Sequence, residues 1–190
     1  MRCFVAIELP DDVRAALARS QASLRQRAPR ADLRWVDAAG LHVTLKFLGE
    51  VAEDRLSALT DALRAAVAPH AALALAVAGL GGFPSLGRPR VLWAGIPTGV
   101  AELGRLAAAV ERALAPLGFP PESRPFRGHV TIARVRSPRG IGRIAAAIQA
   151  GGDVDFGRWT ATDVVLFQSR LRPSGAVYEP LARFALANHS

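Results

Sequence analysis

The chain says nearly the same thing twice. "LHVTLKFLGE" (41–50) and "GHVTIARVRS" (128–137) each set a histidine two residues before a threonine in an apolar run. The shared core is His-Val-Thr followed by Leu or Ile. Its copies lie 87 positions apart (129 − 42), nearly half of the 190 residues. A repeat at that spacing constrains the fold to two related halves, each presenting one copy. On a strand, successive side chains face opposite ways. His42 and Thr44 therefore share one face, with Val43 and Leu45 behind them, and His129 and Thr131 share one face, with Val130 and Ile132 behind. A single such pair is ordinarily a polar accident on a solvated face. Two copies, each inside an apolar strand and each followed by an aliphatic residue, point to function. If the halves face each other, four polar side chains converge in one cleft.

The rest of the chain supplies both strands and helices. Apolar runs with β-branched or aromatic residues predict strands over 2–9, 32–36, 41–49, 72–80, 90–96, 128–135, 163–172 and 176–186. The last two form a hairpin turning at Pro173-Ser174-Gly175. Helical spacing predicts helices over 11–28, 53–68, 99–117 and 142–150. The first of these starts acidic and finishes basic, which complements its dipole. Strands and helices mix without strict alternation, so the class is α+β. "GLGGFPSLGR" is Gly-rich but lacks the Gly-Lys-Ser/Thr ending of a phosphate-binding loop. It is expected to be a turn beside the cleft.

Composition narrows the partners without choosing one. Hydrophobic residues make up 51% of the chain, enough for a substantial core. Cys3 is the only cysteine, which excludes an internal disulfide and a cysteine-rich zinc site. No His, Asp or Glu cluster has metal-ligand spacing, so no metal or other cofactor is expected. No apolar run approaches the roughly 20 residues of a membrane-spanning helix. The opening "MRCFVAIELPDDVR" turns acidic too soon for a signal peptide, so a cytoplasmic location is expected. The net charge of +8 favours an anionic partner, nucleic acid included. Lys46 is the only lysine among 24 basic residues, however, and Ala is abundant. A GC-rich coding sequence would produce both biases without any RNA.

Two opposed imidazoles define a chemistry. Histidine titrates near neutrality, at roughly pH 6.5. A neutral one can take a proton from water while a charged one gives a proton to a leaving oxygen. A threonine hydroxyl beside each can hydrogen-bond a non-bridging phosphate oxygen. This set suits hydrolysis of a phosphodiester, whose transition state carries charge on the phosphoryl oxygens.

These motifs resemble the 2H phosphoesterase superfamily. Within it, the chain is most similar to the bacterial and archaeal RNA 2′,3′-cyclic phosphodiesterases, also called 2′-5′ RNA ligases or LigT-like proteins. The likeness also takes in "FVAIELP", "LRWV", "GGFPSLGRPRVLWAGI", "PFRGHVTIAR" and "LFQSRLRPSGAVYEPLARFAL". It implies one domain over 1–190 built of two pseudo-symmetric lobes, with antiparallel sheets flanking a central cleft and helices outside. It implies metal-independent opening of RNA 2′,3′-cyclic phosphate ends to 2′-phosphates by a monomer. It implies that His42 protonates the departing 3′ oxygen and His129 activates water, with Thr44 and Thr131 on the phosphate. The motifs alone do not say which histidine is which. With an RNA 5′-hydroxyl attacking in place of water, the same reaction forms a 2′-5′ bond.

Several residues carry two expectations. Period-two parity puts Lys46 on the cleft face, as a phosphate contact or as an ordinary solvated lysine. Strict alternation puts Arg134 on the opposite face from His129. The resemblance places an arginine there near the phosphate, which requires a bulge or strand end. Phe47 and Trp35 could stack on a base, although aromatics in apolar strands more often fill a core. His70 and His189 have no partner motif and are expected at the surface. The substrate could instead be a 2′-5′ oligonucleotide or a small cyclic nucleotide such as ADP-ribose cyclic phosphate. The chain could also be an RNA-end-binding module whose histidines merely contact phosphate.

Overall fold

Alternation and helical periodicity sort the chain into elements that a computed structural model describes over residues 1–188. His189 lies outside the described residues. The order is β1 (Arg2–Glu8), α1 (Asp11–Arg27), β2 (Leu33–Trp35), β3 (His42–Glu50), α2 (Leu56–Val67), β4 (Leu73–Phe83) and β5 (Val91–Thr98). Then come α3 (Val100–Leu114), β6 (His129–Val135), α4 (Ile141–Gly151), β7 (Asp155–Ala161), β8 (Asp163–Arg172) and β9 (Gly175–Ala185). The class is α+β, as expected. Asp11 and Asp12 open α1 and Arg25 and Arg27 close it, so charge and dipole agree at both ends.

All pairing between the strands is antiparallel. The order is β7-β4-β5-β6-β3-β1-β8-β9, with β2 pairing β6 off that path. Four strands stand on either side of the β6–β3 seam, and each half presents its His-x-Thr strand at the seam. The halves join through one pair, Val43 with Val130. The antiparallel sheets expected of the two halves meet at this seam and run on as one continuous sheet. β7 was not anticipated. Its alternation is short and is interrupted by Gly157, whose φ of 122° suits glycine.

The sheet buries its faces differently. Val5, Ile7, Val43, Leu45, Val130 and Ile132 join the main core with Val13, Leu17, Leu59, Leu63, Leu103 and Leu106 of the helices. Each fully buried leucine there contributes roughly 2 kcal/mol of transfer free energy. α1 packs on α4 and α2 on α3. On the other face, Phe4, Ala6, Val165 and Phe167 form a small separate apolar cluster, with Tyr178 against it. This second cluster walls the cleft. Among the described residues no helix is long and apolar enough to cross a membrane.

Candidate active site

β3 and β6 share more than a motif. Both begin with the same alternation, His and Thr half-buried and the residues between them buried. Both then break it with two buried residues in succession. Register explains the break. Ala6 pairs with Thr44 but Val5 pairs with Lys46, so Leu45 is an extra residue. Trp93 pairs with Thr131 but Leu92 pairs with Ala133, so Ile132 is an extra residue. Each strand therefore carries a β-bulge three residues after its histidine. A bulge reverses the parity of everything beyond it.

The reversal decides two of the sequence expectations. Arg134 turns onto the cleft side and lines it, through the bulge that its placement required. Lys46 turns the other way, so its expected cleft position is corrected. It is only 3% exposed, and its ammonium donates to Glu111 Oε2 at 2.6 Å and to the Pro120 carbonyl at 2.9 Å. A buried ammonium needs such partners, and they lie on the helix side. Phe47, which corresponds to Arg134 (47 + 87), takes the cleft position instead and stands 59% exposed.

One cleft of about 800 Å³ brings together His42, Thr44, His129, Thr131 and Arg134. Each imidazole is aimed by the same local device. Nδ1 of His42 lies 2.7 Å from the Gly40 carbonyl, and Nδ1 of His129 lies 2.7 Å from the Arg127 carbonyl. A carbonyl only accepts, so both Nδ1 atoms carry hydrogen and both Nε2 atoms are left for chemistry. Nε2 of His42 is 2.8 Å from Thr44 Oγ1. The apolar cluster holds the His42 ring: Phe4 stacks on it at 4.8 Å and Tyr178 meets it edge-on at 5.4 Å. Phe83 meets the His129 ring edge-on at 5.0 Å. The Gly-rich segment thus ends β4 beside the cleft.

Burial sets the electrostatics. Desolvation pushes His42 down to about 4, opposed by its bond to Gly40 and helped by the charges of Arg14 and His129. His129 is lowered as well, first by desolvation and then by Arg134, with the Arg127 carbonyl opposing. Both rings are neutral at pH 7 in the open cleft. Trp35 also lines the cleft, with the Arg25 guanidinium 5.3 Å from its ring centroid. His70 lies elsewhere, its backbone carbonyl accepting from Ala187. Sequence parity gave no sign of Phe4, Phe83 and Tyr178. They come from strands whose faces only the sheet order fixes.

The β6 bulge has its own support. Gln21 is 5% exposed on α1, and its amide nitrogen donates to the carbonyls of Ile132 at 2.9 Å and Val36 at 2.8 Å. The carbonyl of the bulged residue is thus shared between the Gln21 amide and the Val36 N–H, 3.0 Å away. Gln21→Leu is expected to cost about 2 kcal/mol in a urea melt, from two lost hydrogen bonds. It should also lower turnover in protein that remains folded, because Arg134 takes its direction from that bulge. An unchanged midpoint with unchanged turnover would contradict this role.

Comparison with known proteins agrees with the geometry. A model of the LigT like Phosphoesterase family matches residues 7–93 and 95–178. A Thermus thermophilus protein named RNA 2′,3′-cyclic phosphodiesterase is 36% identical over 194 residues, covering 98% of this chain and 90% of that protein. One of that name from Archaeoglobus fulgidus is 33% identical over 184 residues, covering 97% and 99%. The crystal structure of a Thermus thermophilus protein superposes over the whole of both chains, with TM-score 0.81 at 31% identity. That of E. coli LigT complexed with 3′-AMP superposes over 97% of each chain, with TM-score 0.76 at 28% identity. With a fold, a family model and full-length relatives in agreement, this chain belongs to the LigT-like phosphoesterases of the 2H superfamily.

Proposed function

We propose that the chain hydrolyses RNA 2′,3′-cyclic phosphate ends to 2′-phosphates by paired histidine acid–base catalysis, without a metal. The observation that carries this reading is the doubled device in one cleft. Each half contributes an imidazole with Nδ1–H tied to the carbonyl two residues before it, Nε2 left for chemistry, and a threonine hydroxyl two residues on. Relatives named for this reaction supply the substrate class.

In the scheme, His129 Nε2 accepts a proton from water as the water oxygen bonds to phosphorus. The bond from phosphorus to the 3′ oxygen breaks, and His42 Nε2–H protonates that oxygen. Thr44, Thr131 and Arg134 hold the non-bridging oxygens as charge gathers on them. With an RNA 5′-hydroxyl in place of water as the attacking group, the same displacement of the 3′ oxygen gives 2′-5′ ligation at the same site. Assigning His42 as the acid carries a demand, since its imidazole is neutral in the open cleft. The bound phosphodiester anion must supply the charge that raises it, because a nearby negative charge favours the protonated ring.

That demand fixes the direction of the pH dependence. The free protein's histidines titrate below their ordinary value, so kcat/KM should follow a bell centred on the acid side of neutrality. The kcat profile reports the complex and should sit at higher pH. Rates measured across pH at low and saturating substrate check this. A kcat/KM that climbed steadily with pH would remove the protonated acid from the scheme.

The reaction itself is tested with a short RNA ending in a 2′,3′-cyclic phosphate, incubated in EDTA, with the product's phosphate position identified. Conversion to a 2′-phosphate is the expected result. A 3′-phosphate product, or no turnover, would overturn the proposal. Turnover of a 2′-5′ oligonucleotide or a small cyclic nucleotide in its place would redirect the site to that substrate.

A further inference from the structure

The cleft side of β6 does not end with the catalytic motif. Beyond the bulge it continues to Arg134, and Arg136 follows in the bend just past the end of the strand. Arg34 on β2 stands directly opposite Arg134 in the register. All three arginines are exposed and all three line the cleft. Like charges placed directly across a strand pair are destabilising, yet among the described residues none of the three lies within ion-pair distance of a carboxylate. Asp37 is the one acidic residue of the cleft lining, and it makes no ion pair with them. An arrangement that costs stability when empty, and is open to solvent beside a phosphate site, is a binding arrangement for further anions.

Its shape identifies the ligand. The cleft lining passes from His129 and Thr131 across the bulge to Arg134 and on to Arg136, and side chains two residues apart on extended chain stand about 7 Å apart. That repeat is comparable with the spacing of successive phosphates in an extended single strand. A single phosphate held by Thr131 and Arg134 leaves Arg136 and Arg34 without a counter-ion. A chain of phosphates occupies them all. A 2′,3′-cyclic phosphate can only close the 3′ end of a chain, so further nucleotides must leave the cleft on their 5′ side. We propose that Arg34 and Arg136 form a track for the backbone of the nucleotides 5′ to the reacting end, making an oligonucleotide a better substrate than a cyclic mononucleotide. This inference rests on the reaction proposed above.

The test compares an RNA hexamer ending in a 2′,3′-cyclic phosphate with a 2′,3′-cyclic mononucleotide. The double variant Arg34→Gln/Arg136→Gln is run beside the wild type, leaving Arg134 intact. Both sites are exposed, so the fold is not at risk. The wild type should favour the hexamer. The double variant should lose ~10- to 100-fold in kcat/KM on the hexamer and little on the mononucleotide. The slope of log kcat/KM against log salt for the hexamer should flatten by about 1 to 1.5, since each single-strand phosphate contact contributes about 0.7. Equal use of both substrates, or a hexamer advantage that the substitutions leave in place, would overturn the track. If the wild type hydrolyses neither substrate, the proposed reaction fails and the track is judged by binding alone. Fluorescence anisotropy of a labelled hexamer ending in a 2′-phosphate should then still show weaker, less salt-dependent binding by the double variant. Unchanged binding would sink the track independently.

Discussion

His129→Ala and His42→Ala should each lower kcat on a cyclic-phosphate RNA by about 10²- to 10⁴-fold, the range for losing one positioned proton-transfer group. The double variant should lose little more than the worse single one. Removing either partner already breaks the concerted transfer, and groups acting as a unit are not additive. Substrate affinity should survive, because the threonines and Arg134 remain. Single-turnover rates and a direct Kd for each variant separate these effects. A variant that lost affinity but kept its single-turnover rate would mark its histidine as a phosphate contact, and the chain as closer to a binding module than to the enzyme proposed.

Acid should unfold this protein through the same residue. The His42 imidazole has an ordinary value near 6.5 and is pushed down to about 4 in the fold, chiefly by burial. Between those values the unfolded chain binds a proton that the folded chain refuses. Stability therefore rises with pH through that window and is lost as pH falls from 6.5 towards 4. About 2.5 pH units at about 1.4 kcal/mol each put the full loss near 3.5 kcal/mol, as an upper bound for this one group. His129 acts in the same direction. Urea melts of wild type and His42→Asn at about pH 7.5 and about pH 4.5 isolate the effect from that of the carboxylates. The wild type should lose more stability on acidification than the variant does. Equal losses would show that the ring is not held neutral by its burial.

The central feature was legible from the sequence because it rests on the simplest strand rule. Period two put each His beside its Thr, and the doubling of the motif implied two halves. The same rule failed at the next step, at Lys46, and the reason is physical. A bulge is an extra backbone residue that leaves no mark in an apolar run, so parity counted through Leu45 or Ile132 comes out inverted. Comparing the two copies carries the missing hint: Lys46 corresponds to Ala133 (46 + 87), a small apolar residue, and Phe47 to Arg134. A position that is Ala in one copy is more readily on the buried side, and its neighbour is then the one facing the cleft. β7 escaped because Gly157 interrupts a short alternation. Phe4 and Tyr178, which stack around His42, lie far from it in the chain. Only the adjacency of β3, β1, β8 and β9 in the sheet brings them to its ring.

The division of labour between the histidines is the claim most open to a decisive measurement. The two single alanine variants would be assayed on a cyclic-phosphate RNA and on a nucleoside p-nitrophenyl phosphodiester, whose leaving group departs without needing a proton. If His42 is the acid and His129 the base, His42→Ala should lose most of its rate on the RNA and little on the activated ester. His129→Ala should be crippled on both. The reverse pattern would exchange the roles. Equal losses for both variants on both substrates would contradict acid–base catalysis by this pair.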